Sequence, residues 1–196
     1  MNSIFRNSSL YVTLLVLSIS GTGLANEPDA KLYSGIKSCR MCHKKDASGN
    51  QYAKWQKSPH SKTIKVLGTP EAKAVAKKLG IDDPETSGKC LKCHSTAYNY
   101  TETKQTEKIA VKDGVTCESC HGPGKNYKSK KVMKDHKKAI EKGMIYPATK
   151  SCVKCHNDKS PSWKNDRYTT KDGKKVGFDV KQAYEKIKHP NPKLHK

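Results

Sequence analysis

Four copies of the pentapeptide Cys-x-x-Cys-His constrain this chain more than any other feature. In such a motif two thiols bond covalently to the vinyl groups of heme c, and the His that follows binds the iron. The four copies use all eight cysteines of the chain. The sequence therefore predicts four heme c groups. The predicted attachment residues are Cys39, Cys42, Cys90, Cys93, Cys117, Cys120, Cys152 and Cys155, and the predicted first axial ligands are His43, His94, His121 and His156.

Zinc is the alternative interpretation of these cysteines. Two Cys-x-x-Cys pairs can supply the four thiolates of one structural zinc ion. A zinc site does not need a His directly after the second Cys, yet the His is present in every copy here. The heme interpretation is therefore favoured.

The N-terminal residues 1–25 have the pattern of a cleaved secretory signal. Arg6 is their only charged residue, Tyr11 to Ile19 form a short apolar run, and Gly23-Leu24-Ala25 resembles a cleavage site. An uncleaved anchor is the alternative, but the run is short for a membrane span. Covalent attachment of heme takes place outside the cytoplasm in bacteria. We therefore expect cleavage after Ala25, export to the periplasm and no stable membrane insertion.

The remaining residues, 26–196, are predicted to form a single domain. Only 34% of the chain is hydrophobic and 7% aromatic, which is little for a globular core. Covalently held porphyrins would supply the missing apolar surface, so the chain would fold only with its hemes attached. No linker separates two domains. The expected fold is mainly α, with short helices and loops packed around the hemes and little strand.

The charge of the chain predicts partners of opposite charge. The formal net charge is +21, and all but three of the 39 basic residues are lysines. Lysine suits brief, salt-sensitive docking, and so favours redox protein partners with acidic surfaces. Export makes nucleic acid an improbable partner. A basic surface without a dedicated partner is the alternative.

Helix signals occur at four places. Ser48 and Gln51 have the spacing of a capping box, and Thr69-Pro70 is typical of a helix start. The His189-Pro190 pair is typical of a helix end. The segment from Tyr98 to Val111 could form a short ribbon. The predicted helices begin at Ser48 and run through Trp55, begin at Thr69 and end at Gly80, span Lys130 to Lys142, and begin at Asp179 and end at Lys188.

Four further histidines could complete the iron coordination. His136 lies on the apolar face of a predicted helix, where a packed core residue is the alternative. His60 follows an aromatic residue and a proline, and His189 ends a helix. We predict these three as second axial ligands, whereas His195 lies on a lysine-rich tail that we expect to be solvated. Eight histidines permit two per iron but do not require it.

At these residues the chain resembles the tetraheme cytochrome c-554 family of ammonia-oxidising bacteria and their relatives. The most specific segment runs from Gly114 to Tyr127 around the third motif. The segments 55–60 and 160–163 and the helix ending at His189 align in order. The resemblance implies a mostly helical fold, with hemes in closely spaced pairs that pass electrons along the chain.

The resemblance also implies a pairing of ligands. His136 would complete the iron of His43, His189 that of His121, and His60 that of His156. The second heme, at His94, would keep an open sixth position. The chain differs from the family between Lys164 and Gly177, where it is shorter and lacks proline, so Tyr98 and Tyr100 are local candidates to cover that iron.

The predicted function is transfer of electrons from an exported, multiheme oxidoreductase to a downstream acceptor. In this family the donor is typically a hydroxylamine-oxidising multiheme enzyme. No catalytic side chains are needed, because the heme carries the chemistry, and no hydrolase constellation is present. One alternative is reduction of nitric oxide or a related nitrogen oxide at the second heme. The other is a conductive filament in which a tail ligand such as His195 binds a heme of the next subunit.

Overall fold

Short helices dominate the structure. The computed structural model describes residues 29–98, 105–189 and 191–192, and among them the prediction of a mainly α fold is confirmed. The α-helices are α1 (Ile36–His43), α2 (Gln51–Lys57), α3 (Thr63–Leu67), α4 (Pro70–Lys78), α5 (Gly88–His94), α6 (Cys117–His121), α7 (Lys130–Met133), α8 (His136–Glu141) and α9 (Val180–Ile187). Short 3-10 helices span Ala30–Leu32, Asp46–Ser48, Pro59–Lys62, Val111–Asp113 and Ala148–Lys154.

The lengths of these helices show that they depend on tertiary contacts. The longest, α4, has nine residues. Isolated helices of that size are not stable in water, because nucleation is costly. Each helix is therefore held by what it packs against.

Two of the predicted helix starts are confirmed. The side chain of Thr69 accepts a hydrogen bond from the N–H of Ala72 at the start of α4. The side chain of Asp179 accepts one from the N–H of Gln182 at the start of α9. Both are ordinary N-caps, in which a side-chain oxygen satisfies an N–H that the first turn leaves free.

The predicted start of α2 is wrong by two residues. Asn50, not Ser48, is the N-cap, and it adopts a left-handed conformation with φ of 44°. The Ser48 hydroxyl instead donates to the carbonyls of Cys42 and Lys45, both at 2.8 Å. Ser48 thus closes the turn after α1, and the helix begins later.

The predicted helix from Lys130 to Lys142 is two helices, α7 and α8. Asp135, between them, is extended, and its side chain accepts from the N–H of Lys138 at 3.0 Å. A short polar side chain that caps a new helix competes with continuation of the previous one. His136 is consequently the first residue of α8.

The only strands in the described ranges form a small antiparallel ribbon, where Tyr168–Thr169 (β1) pairs with Lys175–Val176 (β2). The expectation of little strand is confirmed. The ribbon lies in the segment where the chain departs from the family pattern. Of the ribbon proposed at 98–111, residues 99–104 lie outside the described part, and residues 105–111 form no strand.

The side-chain core is small and divided. One cluster contains Tyr33, Ala97 and Ile109, and Tyr98 packs against it. A second contains Tyr127, Ala139 and Met144. Clusters of three buried residues are too small to stabilise a domain of this length, as the composition led us to expect.

Several sequence predictions concern residues that the structure does not describe. The predicted signal at 1–25, Tyr100 and His195 lie outside the described residues. Among the residues that are described, no helix has the length and apolar character needed to cross a membrane.

Candidate heme site

The four motifs occupy helical turns, and three of their histidines end an α-helix. His43 is the last residue of α1, His94 of α5 and His121 of α6. The fourth motif lies on the 3-10 helix Ala148–Lys154 and continues to His156. Residues three apart on a helical turn lie on one face, so both thiols of a motif reach the same side. None of the eight cysteines forms a disulfide.

Thiols of different motifs meet inside the molecule. Cys39 of the first motif and Cys117 of the third are joined by a hydrogen bond, which lowers the pKa of Cys39 and, together with burial, raises that of Cys117. A hydrogen bond with Cys155 lowers the pKa of Cys93 to about 7. These contacts bring the first motif to the third and the second to the fourth.

The third and fourth motifs are also neighbours. Burial raises the pKa of Cys120 to about 11, and the nearby Cys152 adds to the effect. The hydroxyl of Ser151 donates to the carbonyl of Cys120 at 3.0 Å. In space the motifs therefore follow each other in the order first, third, fourth, second.

Two of the motif histidines are oriented through one ring nitrogen. His43 Nδ1 lies 3.0 Å from Gln51 Oε1, and His94 Nδ1 lies 2.9 Å from the carbonyl oxygen of Thr63. Because both partners are acceptors, Nδ1 donates in each hydrogen bond, and Nε2 is the ring nitrogen that is left to face a metal. Ligands of metals in proteins are commonly oriented in this way.

Two pairs of predicted ligands lie at the distance that one shared metal requires. The ring centroids of His60 and His156 are 6.1 Å apart, and those of His121 and His189 are 5.9 Å apart. Metal–imidazole bonds are about 2 Å long, so two rings on opposite sides of one metal have centroids roughly 6 Å apart. Both pairs match the pairing that the resemblance implies.

The surroundings of these rings favour the neutral form of the imidazole. Burial lowers the pKa of His60, and burial followed by the proximity of His60 lowers that of His156. Burial lowers the pKa of His121 to about 4, and His189 acts in the same direction. Only a neutral imidazole has a lone pair for a metal.

The third predicted pair, His43 and His136, makes no ring contact in the described part of the chain. The ring of His136 packs edge-on against Tyr146, with centroids 4.5 Å apart. Its Nε2 atom is nevertheless buried without a hydrogen-bond partner. A buried nitrogen without a partner is costly, and ligation of a metal would satisfy it.

His94 of the second motif faces no second histidine ring among the described residues. Tyr98, one of the two candidates to cover this position, packs against the cluster around Tyr33 instead. Thr63, whose carbonyl accepts from His94, also donates through its hydroxyl to the His94 carbonyl at 2.7 Å. The motif side of this site is thus fixed by α3.

The sequence predictions missed three residues of the site. Thr63 orients His94 as described above. Phe178 stacks on His156 with ring centroids 4.7 Å apart and planes 6° from parallel. Glu118 is 1% exposed. The sequence does mark Glu118 as unusual, because it is the only acidic residue between the two cysteines of any of the four motifs.

The residues present fit heme c better than zinc. Within 29–98, 105–189 and 191–192 no three His, Cys, Asp or Glu side chains converge as ligands of one metal ion. No disulfide joins the cysteines of the motifs, and four histidine rings oppose each other in two pairs. The buried Nε2 of His136, which has no hydrogen-bond partner, and the small apolar core are both accounted for by porphyrins with their irons.

Short helices that carry Cys-x-x-Cys-His motifs define the class of c-type cytochromes. The family described as cytochrome c554 and c-prime matches residues 38–122, a span that contains the first three motifs. A curated relative, cytochrome c-554 of Nitrosomonas europaea, is 29% identical, and the alignment covers 79% of this chain and 69% of the relative. No solved structure matches the chain.

The chain is therefore similar to the cytochromes of the c-554 family, and this similarity supports a c-type cytochrome that carries electrons. Its class carries covalently attached heme c and exchanges electrons with other redox proteins.

Proposed function

We propose that this protein is an exported tetraheme electron carrier that takes electrons from a multiheme oxidoreductase and delivers them to a downstream acceptor. The observation that carries the proposal is the spatial order of the motifs. Hydrogen bonds of Cys39 with Cys117, of Ser151 with Cys120 and of Cys93 with Cys155 join all four. Hemes attached at these thiols would form one continuous series, with the first and second motifs at its ends.

Three irons would have two histidine ligands each. The ring distances support His60 with His156 and His121 with His189. The resemblance and the buried Nε2 of His136 support a third pair with His43. Iron with two histidines is saturated and passes electrons without binding a substrate, which is the property of a carrier.

The compartment and partners follow from residues 1–25 and from charge. The pattern of a cleaved signal supports export to the periplasm, where residues 26–196 would act as one domain. The excess of lysine supports docking to acidic surfaces. Raising the salt concentration should then slow reduction by an acidic redox protein much more than reduction by a small neutral reductant.

The heme count is tested first. The purified protein should stain for heme on a denaturing gel, begin at Asn26 and have the mass of residues 26–196 plus four hemes. Electron paramagnetic resonance of the oxidised protein should show three low-spin irons. Fewer than four hemes, or zinc in place of iron, would contradict the proposal.

Paired histidine variants test the ligands. His189→Ala should convert one low-spin signal to a high-spin signal, because it removes a second axial ligand from the third heme. His195→Ala is the matched control from the same C-terminal region and should leave the spectrum unchanged. The reverse result would assign the ligand to the tail.

A second candidate function follows from His94, which no second ring opposes among the described residues. An open iron there could bind and reduce nitric oxide or a related small molecule. Binding of carbon monoxide by the reduced protein, together with one high-spin signal, would support this function. Four low-spin irons in the isolated protein would remove it.

A further inference from the structure

Glu118 is a buried carboxylate within the third motif that the functions proposed so far do not use. Oε1 accepts hydrogen bonds from the N–H of Ser34 at 2.8 Å and of Gly124 at 2.7 Å, and Oε2 accepts from the N–H of Gly35 at 2.8 Å. In the described part of the chain no lysine or arginine forms an ion pair with it. Its charge is therefore held by backbone dipoles alone.

The donors of these hydrogen bonds belong to two distant segments. Ser34 and Gly35 directly precede α1, which carries the first motif, and lie 84 and 83 residues from Glu118 in sequence. Gly124 lies in the loop after the third motif. Glu118 thus joins the first motif to the third at the place where Cys39 and Cys117 meet.

The charge of Glu118 acts on both of these thiols. Besides their mutual hydrogen bond and burial, the negative charge of Glu118 pushes the pKa of Cys39 and of Cys117 upward. The same charge adds to burial in raising the pKa of Tyr127. A charge in the interior is screened much less than one at the surface.

We propose that Glu118 is a fixed internal anion that positions the first and third hemes and lowers their reduction potentials. Uptake of an electron makes an iron centre less positive, so a nearby anion stabilises the oxidised form relative to the reduced form. The low dielectric of the interior strengthens this effect. The inference rests on the proposed function, in which both motifs carry hemes, and makes Glu118 a positioning residue of that pair.

Spectroelectrochemical titration of the Glu118→Gln holoprotein tests the proposal. Two of the four midpoint potentials should shift upward, and the other two should stay near their original values. Glu71→Gln, which removes an exposed acid from the first turn of α4, should shift none. Gly124→Ala separates charge from geometry, because the added Cβ would lie 3.1 Å from Oε1 and displace the carboxylate without removing it. Its potentials should stay low.

The possible results distinguish failure of the inference about Glu118 from failure of the proposed function. A Glu118→Gln protein that contains four hemes with unchanged potentials overturns the inference and leaves the proposed function intact, whereas a wild-type chain without four hemes overturns the proposed function itself. An equal upward shift in Gly124→Ala would show that geometry, not charge, sets the potentials. If the Gln variant does not mature, Glu118→Asp decides: unchanged potentials support the fixed anion, and raised potentials overturn it.

Discussion

The surroundings of the third motif and the C-terminal segment from Trp163 to His189 are held in the molecule in opposite ways. The third motif and its flanking residues form hydrogen bonds with three distant parts of the chain. Glu118 binds the segment before α1, Thr96 Oγ1 accepts from the N–H of Thr116 at 2.8 Å, and Ser151 donates to Cys120. The C-terminal segment instead bonds mainly to itself, as in the contact between Gln182 Nε2 and the Thr169 carbonyl at 2.9 Å, and α9 has no buried residue.

These two regions nevertheless supply the two rings of one predicted iron site, His121 and His189. The protein itself therefore builds one half of this site, whereas the other half depends on what lies between the rings. Bonds to distant segments make the third motif part of a cooperative core. A helix with no buried residue has little of its own to hold it, so ligation of iron would supply the anchor.

The largest effect is expected at Gly35, which joins the first motif to the third. It has φ of +76°, and a Cβ there would lie 2.0 Å from the carbonyl oxygen of Lys108. Gly35→Ala adds left-handed strain of about 1–2 kcal/mol and weakens a hydrogen bond to buried Glu118, at a cost of about 1–3 kcal/mol. We expect the free energy of unfolding to fall by about 3 kcal/mol or more in total. Urea unfolding of the holoprotein would show this as a lower midpoint.

Gly173 in the ribbon turn is the matched control for that substitution. It also has a positive φ, of +83°, but nothing lies within 4 Å of an added Cβ. Gly173→Ala should therefore cost only the strain, about 1 kcal/mol. Equal losses of unfolding free energy in the two variants would show that the contact between the first and third motifs stabilises the protein no more than the ribbon turn does.

Phe178 should give the next largest effect, because it lies in the C-terminal segment and stacks on a predicted iron ligand, His156. An aromatic pair contributes about 0.5–1.5 kcal/mol beyond its buried area, so Phe178→Ala should cost about 2 kcal/mol in all. The stacked ring also fixes the plane of His156, so one low-spin resonance should move. Tyr184→Ala, at a ring that is 41% exposed, should change neither. If no low-spin resonance moves in the Phe178 variant, the ring of Phe178 does not orient His156.

The sequence predicted those features that a few neighbouring residues determine. The caps at Thr69 and Asp179 need only residues three positions away, and the motifs need only five consecutive residues. The four distal histidines could be ranked by their neighbours, and the structure brings His60 and His189 into ring contact with motif histidines. That these histidines bind iron stays a prediction.

The features that the sequence did not predict depend on distant partners or on competition between local signals. The role of Glu118 depends on Ser34 and Gly35, which lie 84 and 83 residues away in the sequence and donate hydrogen bonds to its carboxylate. Asp135 can continue a helix or cap a new one, and the periodicity of residues 130–142 does not separate these outcomes. Asn50 became the cap of α2 because Ser48 is occupied by the turn after α1.

The cap of α9 should give a smaller effect than either substitution above. Asp179→Ala removes the acceptor for the N–H of Gln182 and should lower the free energy of unfolding, whereas exposed Asp166→Ala should leave it almost unchanged. The hydrogen bond from Gln182 lowers the pKa of Asp179 below its ordinary value of 3.8. The contribution of the cap is therefore present above pH 3.8 and is lost as pH falls through the lowered pKa. A variant whose stability differs from wild type equally at all pH values would contradict this.

The smallest effect is expected at the ion pair between Lys188 and Glu185, 2.5 Å apart on the surface of α9. Both side chains are about half exposed, so solvent and salt screen their attraction, and Glu185→Gln should cost about 0.5 kcal/mol or less. That difference should vanish at high salt, while the difference at Asp179 persists, because a cap is a hydrogen bond to backbone. A large, salt-dependent loss in Glu185→Gln would mean that this surface charge pair, and not iron ligation, anchors the helix that ends before His189.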